Sequence, residues 1–183
     1  GRKNALKILK NISSFKHYEK DRDNLDTPTT HLSAYLKFGC VSIRETFFHM
    51  KKTLGLKHSL IRQLFWREFY ACILFHNPRV LGKSLKPKYD KIKWSKNKQH
   101  LHAWKKGETG FPLIDAGMRQ LNATGFMHNR SRLLTASFLV KTLLIDWREG
   151  EKYFATQLVD YDPASNNGNW QWIAGTGADS QPY

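Results

Sequence analysis

Apolar residues recur at helical spacing along most of the chain, and no run of strict alternation compels a strand. Ala5 to Phe15 form a first candidate helix. Ser13 to Pro28 is polar, with Asp21, Asp23, Asn24 and Asp26, and reads as a loop. Thr29-Thr30-His31-Leu32-Ser33 leads into the apolar stretch Ala34 to Phe38, which Gly39 is placed to end. Ser42 is a suitable N-cap with Glu45 three residues on, so a helix is predicted from there to about Lys52. His58 to His76 contains no Pro or Gly, and Ile61, Phe65, Phe69 and Cys72 recur at helical spacing. Asn77-Pro78 closes that helix.

From Arg79 to Gly110 the pattern is lost, and an irregular basic loop anchored by Tyr89, Trp94 and Trp104 is expected. Helical periodicity returns at about Pro112 to Ala123, where Ile114, Met118 and Leu121 share one face and Pro112 suits the first turn. Asn129 to Asp146 carries Leu133, Leu134, Phe138, Leu139, Leu143 and Leu144. It is predicted as one helix, apolar on nearly all sides and crossing the core. A short helix over about Gly150 to Leu158 and a Gly/Asn/Trp-rich stretch to Tyr183 complete the chain. There is no internal repeat, and the fold class is all-α.

Composition narrows the function. The chain has 183 residues, 40% apolar and 25% charged, which suits one globular domain. Its two cysteines, Cys40 and Cys72, form no metal-type pair and no disulfide framework, so a reducing compartment is expected. No stretch has the length and apolarity of a membrane span, and no signal-peptide run follows the basic N-terminus. Thirty Lys and Arg against fifteen acids give a formal net charge of +15, which favours a polyanionic partner. Nucleic acid fits better than an anionic membrane surface, because no amphipathic anchor is evident. Nine lysines fall between Lys83 and Lys106.

The common catalytic signatures are missing. There is no G-x-G-x-x-G, no phosphate-binding P-loop and no nucleophile elbow. The eight histidines make no metal-ligand pattern, and His100 and His102 read as exposed loop residues, so no metal is expected. Arg130 and Arg132, at the start of the most apolar helix, are placed to meet an anion or to sit on an ordinary exposed turn. Asp160 and Asp162 are spaced to accept hydrogen bonds or to pair with arginine. Each of the six tryptophans suits a core or a base-stacking role.

Several strings, in one order along nearly the whole chain, are informative together. They are Thr29-Thr30-His31-Leu32-Ser33-Ala34-Tyr35-Leu36-Lys37-Phe38-Gly39, Trp66-Arg67-Glu68-Phe69-Tyr70, Thr109-Gly110-Phe111-Pro112-Leu113-Ile114-Asp115-Ala116, Gly125-Phe126-Met127-His128-Asn129-Arg130, Asp146-Trp147-Arg148-Glu149-Gly150, and Asp160 through Trp170. Taken together they resemble the FAD-binding helical domain of the photolyase/cryptochrome family.

The resemblance implies FAD as cofactor. It places Tyr18, Thr29, Thr30, Leu32 and Ser33 around the flavin phosphates and sugar, and Arg67 and Arg132 as charged groups beside the cofactor. Asp160 and Asp162 match its isoalloxazine and adenine ends, and Asn166 matches the residue facing flavin N5. Trp66 and Trp172 match the pocket for a flipped pyrimidine dimer, with Gln63 at its polar edge, Leu133 at the lesion and Asn129 between dimer and flavin. Trp170, Trp147 and Trp94 match, going outward, the tryptophans that relay an electron to the excited flavin. Trp104 has no matched role.

The implied activity is light-driven splitting of cyclobutane pyrimidine dimers in damaged DNA, by an intracellular enzyme, cytoplasmic or, in a eukaryote, nuclear, that is a monomer when the full fold is present. Two positions depart from the family pattern. Gln63 stands where bacterial-type dimer photolyases carry glutamate, and Leu133 where they carry methionine. Gln63 also fits the (6-4) branch, but that branch carries histidines in place of Asn129 and Leu133, so the cyclobutane dimer is the better substrate. A cryptochrome-like photoreceptor is the alternative, which the amide of Asn166 disfavours. A third alternative is a truncated remnant that binds FAD weakly. The family's α/β antenna domain and its last helices have no counterpart in 1–183, so a partial domain is expected.

Overall fold

The structure is a computed structural model and describes residues 1–178. Among the described residues there are ten α-helices and no strand; one isolated bridge pairs Ser95 with Ile145. The chain divides into two compact units, Gly1–Phe69 and Tyr70–Tyr183.

The first unit holds α1 (Arg2–Lys10), α2 (Tyr18–Asp21), α3 (Leu32–Lys37), α4 (Ile43–Leu54) and the start of α5 (Ser59–His76). Its core gathers one apolar face from each longer element: Ala5 and Leu9 of α1, Leu32 of α3, Met50 of α4, and Leu60, Ile61 and Leu64 of α5. The N-cap of α4 is the expected one, with Ser42 Oγ accepting from Glu45 N at 3.0 Å. Two expectations are corrected. The first helix stops at Lys10 and a separate 3₁₀ turn, Ile12–Phe15, follows the non-helical Asn11. The expected loop 13–28 contains that turn and α2, because Ile12 and Phe15 pack on the core.

The second unit continues α5 and adds α6 (Lys98–Lys106), α7 (Pro112–Thr124), α8 (Asn129–Ser137), α9 (Trp147–Gln157) and α10 (Pro163–Ala174). The core is aromatic, with Trp104, Trp147, Phe154 and Trp170 buried among Met118, Leu121, Met127 and Leu139. Ile114, Met118 and Leu121 of α7 point inward as their spacing predicts. Asp115, beside them, is buried and closes the preceding loop. It accepts from Thr109 N (2.8 Å), Thr109 Oγ1 (2.6 Å) and Gly110 N (3.0 Å). Burial alone would push this carboxyl up, but the three hydrogen bonds outweigh it and hold it below its ordinary value.

Three expectations change here. The basic loop 79–110 includes α6, whose last turn seats a fully buried Trp104 with its indole N–H donating to Thr135 O at 3.0 Å. The predicted helix 129–146 is α8 followed by a π-turn, Phe138–Thr142. Leu144 then takes the left-handed conformation (φ 54°), and Asp146 caps the next helix instead of ending this one. Leu134 and Leu144 are exposed, so that segment is not apolar-buried on all sides. The Gly/Asn/Trp-rich stretch holds α10; its end, 179–183, lies outside the described residues.

Candidate functional site

In the second unit, α8, α10 and the segment between α9 and α10 enclose a cleft of about 90 Å³. Leu133, Ala136, Phe154, Leu158, Trp170 and Ile173 give it apolar walls, and Asn129, Arg132, Asp160, Asp162 and Asn166 supply its polar groups. An apolar cleft with a few convergent polar atoms is the common form of a cofactor site.

Each polar group has a defined state. Arg132 Nε donates to Met127 O at 2.8 Å, while its terminal nitrogen reaches both carboxylate oxygens of Asp160 at 3.1 and 3.0 Å. The Asp160 side chain is only 5% exposed, and the guanidinium of Arg132 is the partner that compensates its burial. Asp162 N-caps α10, accepting from Ser165 N at 2.8 Å. Asn166 Nδ2 donates to the main-chain and carboxylate oxygens of Glu151, both at 3.1 Å. With its nitrogen so committed, the amide oxygen is the atom that Asn166 offers as an acceptor. Burial pushes the Glu151 carboxyl up against the opposing effect of that hydrogen bond. Tyr161 is raised by burial and then by the charges of Glu151 and Asp162.

Trp170 forms part of the cleft wall and is buried. Its ring lies on the backbone of Gly150, where a Cβ would stand 2.2 Å from Cη2. Gly150 is one helical turn beyond Trp147 on α9, which brings these two tryptophans to one stretch of helix. Trp94, partly buried, packs against the same core. Ser95 N donates to Leu144 O at 2.7 Å beside the Ser95–Ile145 bridge, which ties Trp94 to the strand-like segment just before Trp147. The structure thus gathers Asn129, Arg132, Leu133, Asp160, Asp162, Asn166 and Trp170 at the cleft, with Trp147 and Trp94 in the core behind it. Trp172 is also on α10 but is not part of the cleft lining.

In the first unit, Tyr18 and Thr29 line a second cleft of about 270 Å³, together with Ser14, Asp21, Arg22 and Thr27. Thr30, Leu32 and Ser33 do not line it. The Leu32 side chain is buried in the core, which leaves only its main chain for a ligand. Arg67 pairs with the adjacent Glu68 at 2.9 Å. Trp66 is 54% exposed on α5 and edge-on to Phe69, and Gln63, one turn earlier, donates to Ser59 O at 3.3 Å.

Sequence reading missed Glu151, Gly150 and the ion-pair cluster around Arg148. Gly150 and Arg148 lie inside one of the informative strings, and Glu151 is the next residue, but their partners are remote in sequence. His100 and His102 are exposed on α6, and among the described residues no group of three potential ligands could hold a metal ion. Among them, too, no helix is long and apolar enough to cross a membrane.

The model of the FAD binding domain of DNA photolyase matches residues 60–183. The chain belongs to that family. Deoxyribodipyrimidine photo-lyase of Alkalihalophilus pseudofirmus is 44% identical over 189 residues, covering 100% of this chain and 40% of that protein. An archaeal photolyase from Sulfolobus tokodaii, solved with two FAD molecules, aligns with a TM-score of 0.91 and 47% identity over 100% of this chain and 41% of its own. Synechocystis cryptochrome aligns with a TM-score of 0.85 and 34% identity over 100% of this chain and 40% of its own. The chain therefore spans about 40% of the length of the photolyase relatives it matches. Membership of the photolyase family bears out the all-α helical fold and the resemblance on which the site residues were assigned.

Proposed function

We propose that this chain holds FAD and carries the flavin side of light-driven cleavage of cyclobutane pyrimidine dimers in damaged DNA. The observation that carries this reading is the fixed amide of Asn166. Its nitrogen is spent on Glu151, so an acceptor oxygen is left for a ring N–H. A reduced isoalloxazine carries a proton at N5 and an oxidised one does not, so this acceptor fits the reduced cofactor. When bound, FAD would supply the photochemistry, accepting an electron from the protein when oxidised and lending one to the lesion when reduced.

The remaining roles follow from chemistry and position. Arg132, Asp160 and Asp162 would hold the ring and ribityl polar atoms. Tyr18, Thr29, Thr30, Ser33, Arg67 and the main chain of Leu32 would meet the sugar and phosphates. Trp66 offers an exposed flat face to an extruded pyrimidine pair. Gln63, Asn129, Leu133 and Trp172 would complete the lesion pocket. Trp94, Trp147 and Trp170 would supply electrons from the protein surface inward. A DNA substrate implies an intracellular enzyme, cytoplasmic or, in a eukaryotic cell, nuclear.

A cryptochrome-like photoreceptor is the second reading, favoured by the 34% identity to a cryptochrome. Adding excess FAD to the purified protein, followed by gel filtration and a visible spectrum, tests the cofactor. The expected result is a flavin band eluting with the protein and weakened in Asp160→Ala. A protein free of flavin after that treatment would remove the basis of both readings, and a light-driven repair assay then separates enzyme from receptor.

A further inference from the structure

Trp147 is almost wholly buried, and its indole N–H has no acceptor among the described residues. The guanidinium of Arg148 lies over its ring, 4.7 Å from the centroid. That cation is held firmly. It donates to Asp90 Oδ1 at 3.1 Å, to both oxygens of Asp146 at 3.1 and 3.2 Å, and through Nε to Gly82 O at 2.8 Å. Arg79 pairs with the other oxygen of Asp90 at 3.1 Å, so two cations and two anions make up the cluster and Arg148 is the member stacked on the indole.

We propose that Arg148 makes Trp147 a residue that positive charge crosses without settling on it. The proposal rests on the tryptophan relay of the reading above. In that relay Trp170 would be the donor to bound flavin, Trp147 would refill Trp170 and Trp94 would refill Trp147. Positive charge would so move outward to Trp94, which is partly exposed. Charge on Trp147 meets two obstacles. A cation over a neutral indole face is attractive, but over an oxidised indole it is repulsive. No described protein group accepts its N–H either, so none stands ready to take the proton of an oxidised indole. Arg148 is therefore a positioning residue for charge, and Asp90 and Asp146 set how strongly it acts.

The test uses the flavin-loaded protein in a Trp94→Phe background, which closes the exit and leaves the charge shared between Trp170 and Trp147. Recombination proceeds through Trp170, so the lifetime of the indole radical cation reports the share held by Trp147. Removing the charge with Arg148→Met should lengthen that lifetime at least about tenfold, because a bare unit charge a few ångströms away acts more strongly than that and Asp90 and Asp146 offset part of it. Arg148→Lys keeps the charge and should leave the lifetime near the parent value. Asp146→Asn keeps the helix cap but strips away compensating charge, and should shorten it. Loss of packing alone does not produce opposite changes from these two neighbouring sites. The proposal is overturned by an Arg148→Met lifetime within about twofold of the parent, or by equal lengthening in the Met and Lys variants. A Trp170→Phe control separates the two levels: if the radical forms without Trp170, the relay itself is wrong and the proposal falls with it.

Discussion

Asn166 on α10 spends both amide hydrogens on Glu151 of α9, one on the main-chain oxygen and one on the carboxylate, each at 3.1 Å. One helix thereby fixes which atom the other presents to the cleft. Replacing Glu151 with Leu removes the carboxylate and frees the amide to turn, so the reduced cofactor should lose its acceptor and the flavin midpoint potential should fall. Glu151→Gln keeps an acceptor oxygen and should hold the potential near the wild-type value. The pair also sets a pH dependence. Burial raises the Glu151 carboxyl above its ordinary 4.5, so the folded state binds that proton more tightly than the unfolded chain. Its contribution is full below the unfolded value and is lost as pH rises through the raised one. Urea denaturation across mildly acid pH should show that loss in the wild type and not in Glu151→Gln.

Gly150 is where the ring of Trp170 meets α9. A methyl group there would stand 2.2 and 2.5 Å from two ring carbons and 2.6 Å from Leu139 Cδ2. Ala gains up to about 1 kcal/mol over Gly in helix propensity, but overpacking a filled core costs about 1–3 kcal/mol. The clash involves a buried ring with little room to yield, so overpacking should dominate. Gly150→Ala should be destabilised by about 1–2 kcal/mol in chemical denaturation, and photoreduction of bound flavin should slow as Trp170 is displaced. A variant as stable as the wild type, photoreducing at the same rate, would show that the packing around Trp170 is looser than described.

Seven of the nine lysines between Lys83 and Lys106 are exposed; Lys86 and Lys105 are half-buried. Their loop is pinned to α10 through Gln171, which donates to Val80 O and Lys83 O and accepts from Leu85 N. If this face meets the DNA backbone, affinity should fall steeply with salt. Replacing Lys88, Lys91 and Lys93 with Gln should weaken damaged and undamaged DNA alike, and should reduce the log–log salt slope by about 0.9 for each phosphate that is no longer neutralised. Filter binding at several salt concentrations gives that slope, and a profile unchanged in the triple variant would place the DNA elsewhere.

Trp66 and Gln63 lie one turn apart on α5, and the indole is more than half exposed. Stacking of a base on an aromatic ring contributes about 1–3 kcal/mol, so Trp66→Ala should bind dimer-containing DNA about tenfold more weakly. Undamaged DNA, held by its phosphates, should be affected much less. Competition binding with the two duplexes measures the ratio. Equal losses on both would give Trp66 a structural role only.

How much of this was legible in the chain depended on where each partner lies. The cap at Ser42, the inward face of α7 and the span of α5 depend on neighbours a turn away, and periodicity finds such elements. Helix α10 was hidden because Asn, Gly and Trp dominate it. Its supports include Asp162 at the cap, Gln171 bonding to the loop at Val80 and Lys83, and Gly168, which lets the Tyr70 ring approach closely. Helix α6 was masked by its lysines, since its burial rests chiefly on Trp104. The long apolar run after Asn129 gave no sign of the π-turn or of the left-handed Leu144. At the candidate site, family motifs named the residues and spacing suggested an arginine partner for Asp160, while the identity of that partner as Arg132, the Glu151–Asn166 contact and the Arg148 cluster came only from the fold.

Dimer repair is read out by counting cyclobutane dimers in a single-lesion oligonucleotide after incubation with the flavin-loaded, pre-reduced protein, in blue light and in the dark. The dimer should be lost in light only, with the loss reduced when Trp66 is replaced by Ala and retained when Gln63 is replaced by Glu. Intact dimers after illumination of a protein that demonstrably holds reduced flavin would contradict the proposed function, as would repair of the (6-4) photoproduct in place of the cyclobutane dimer.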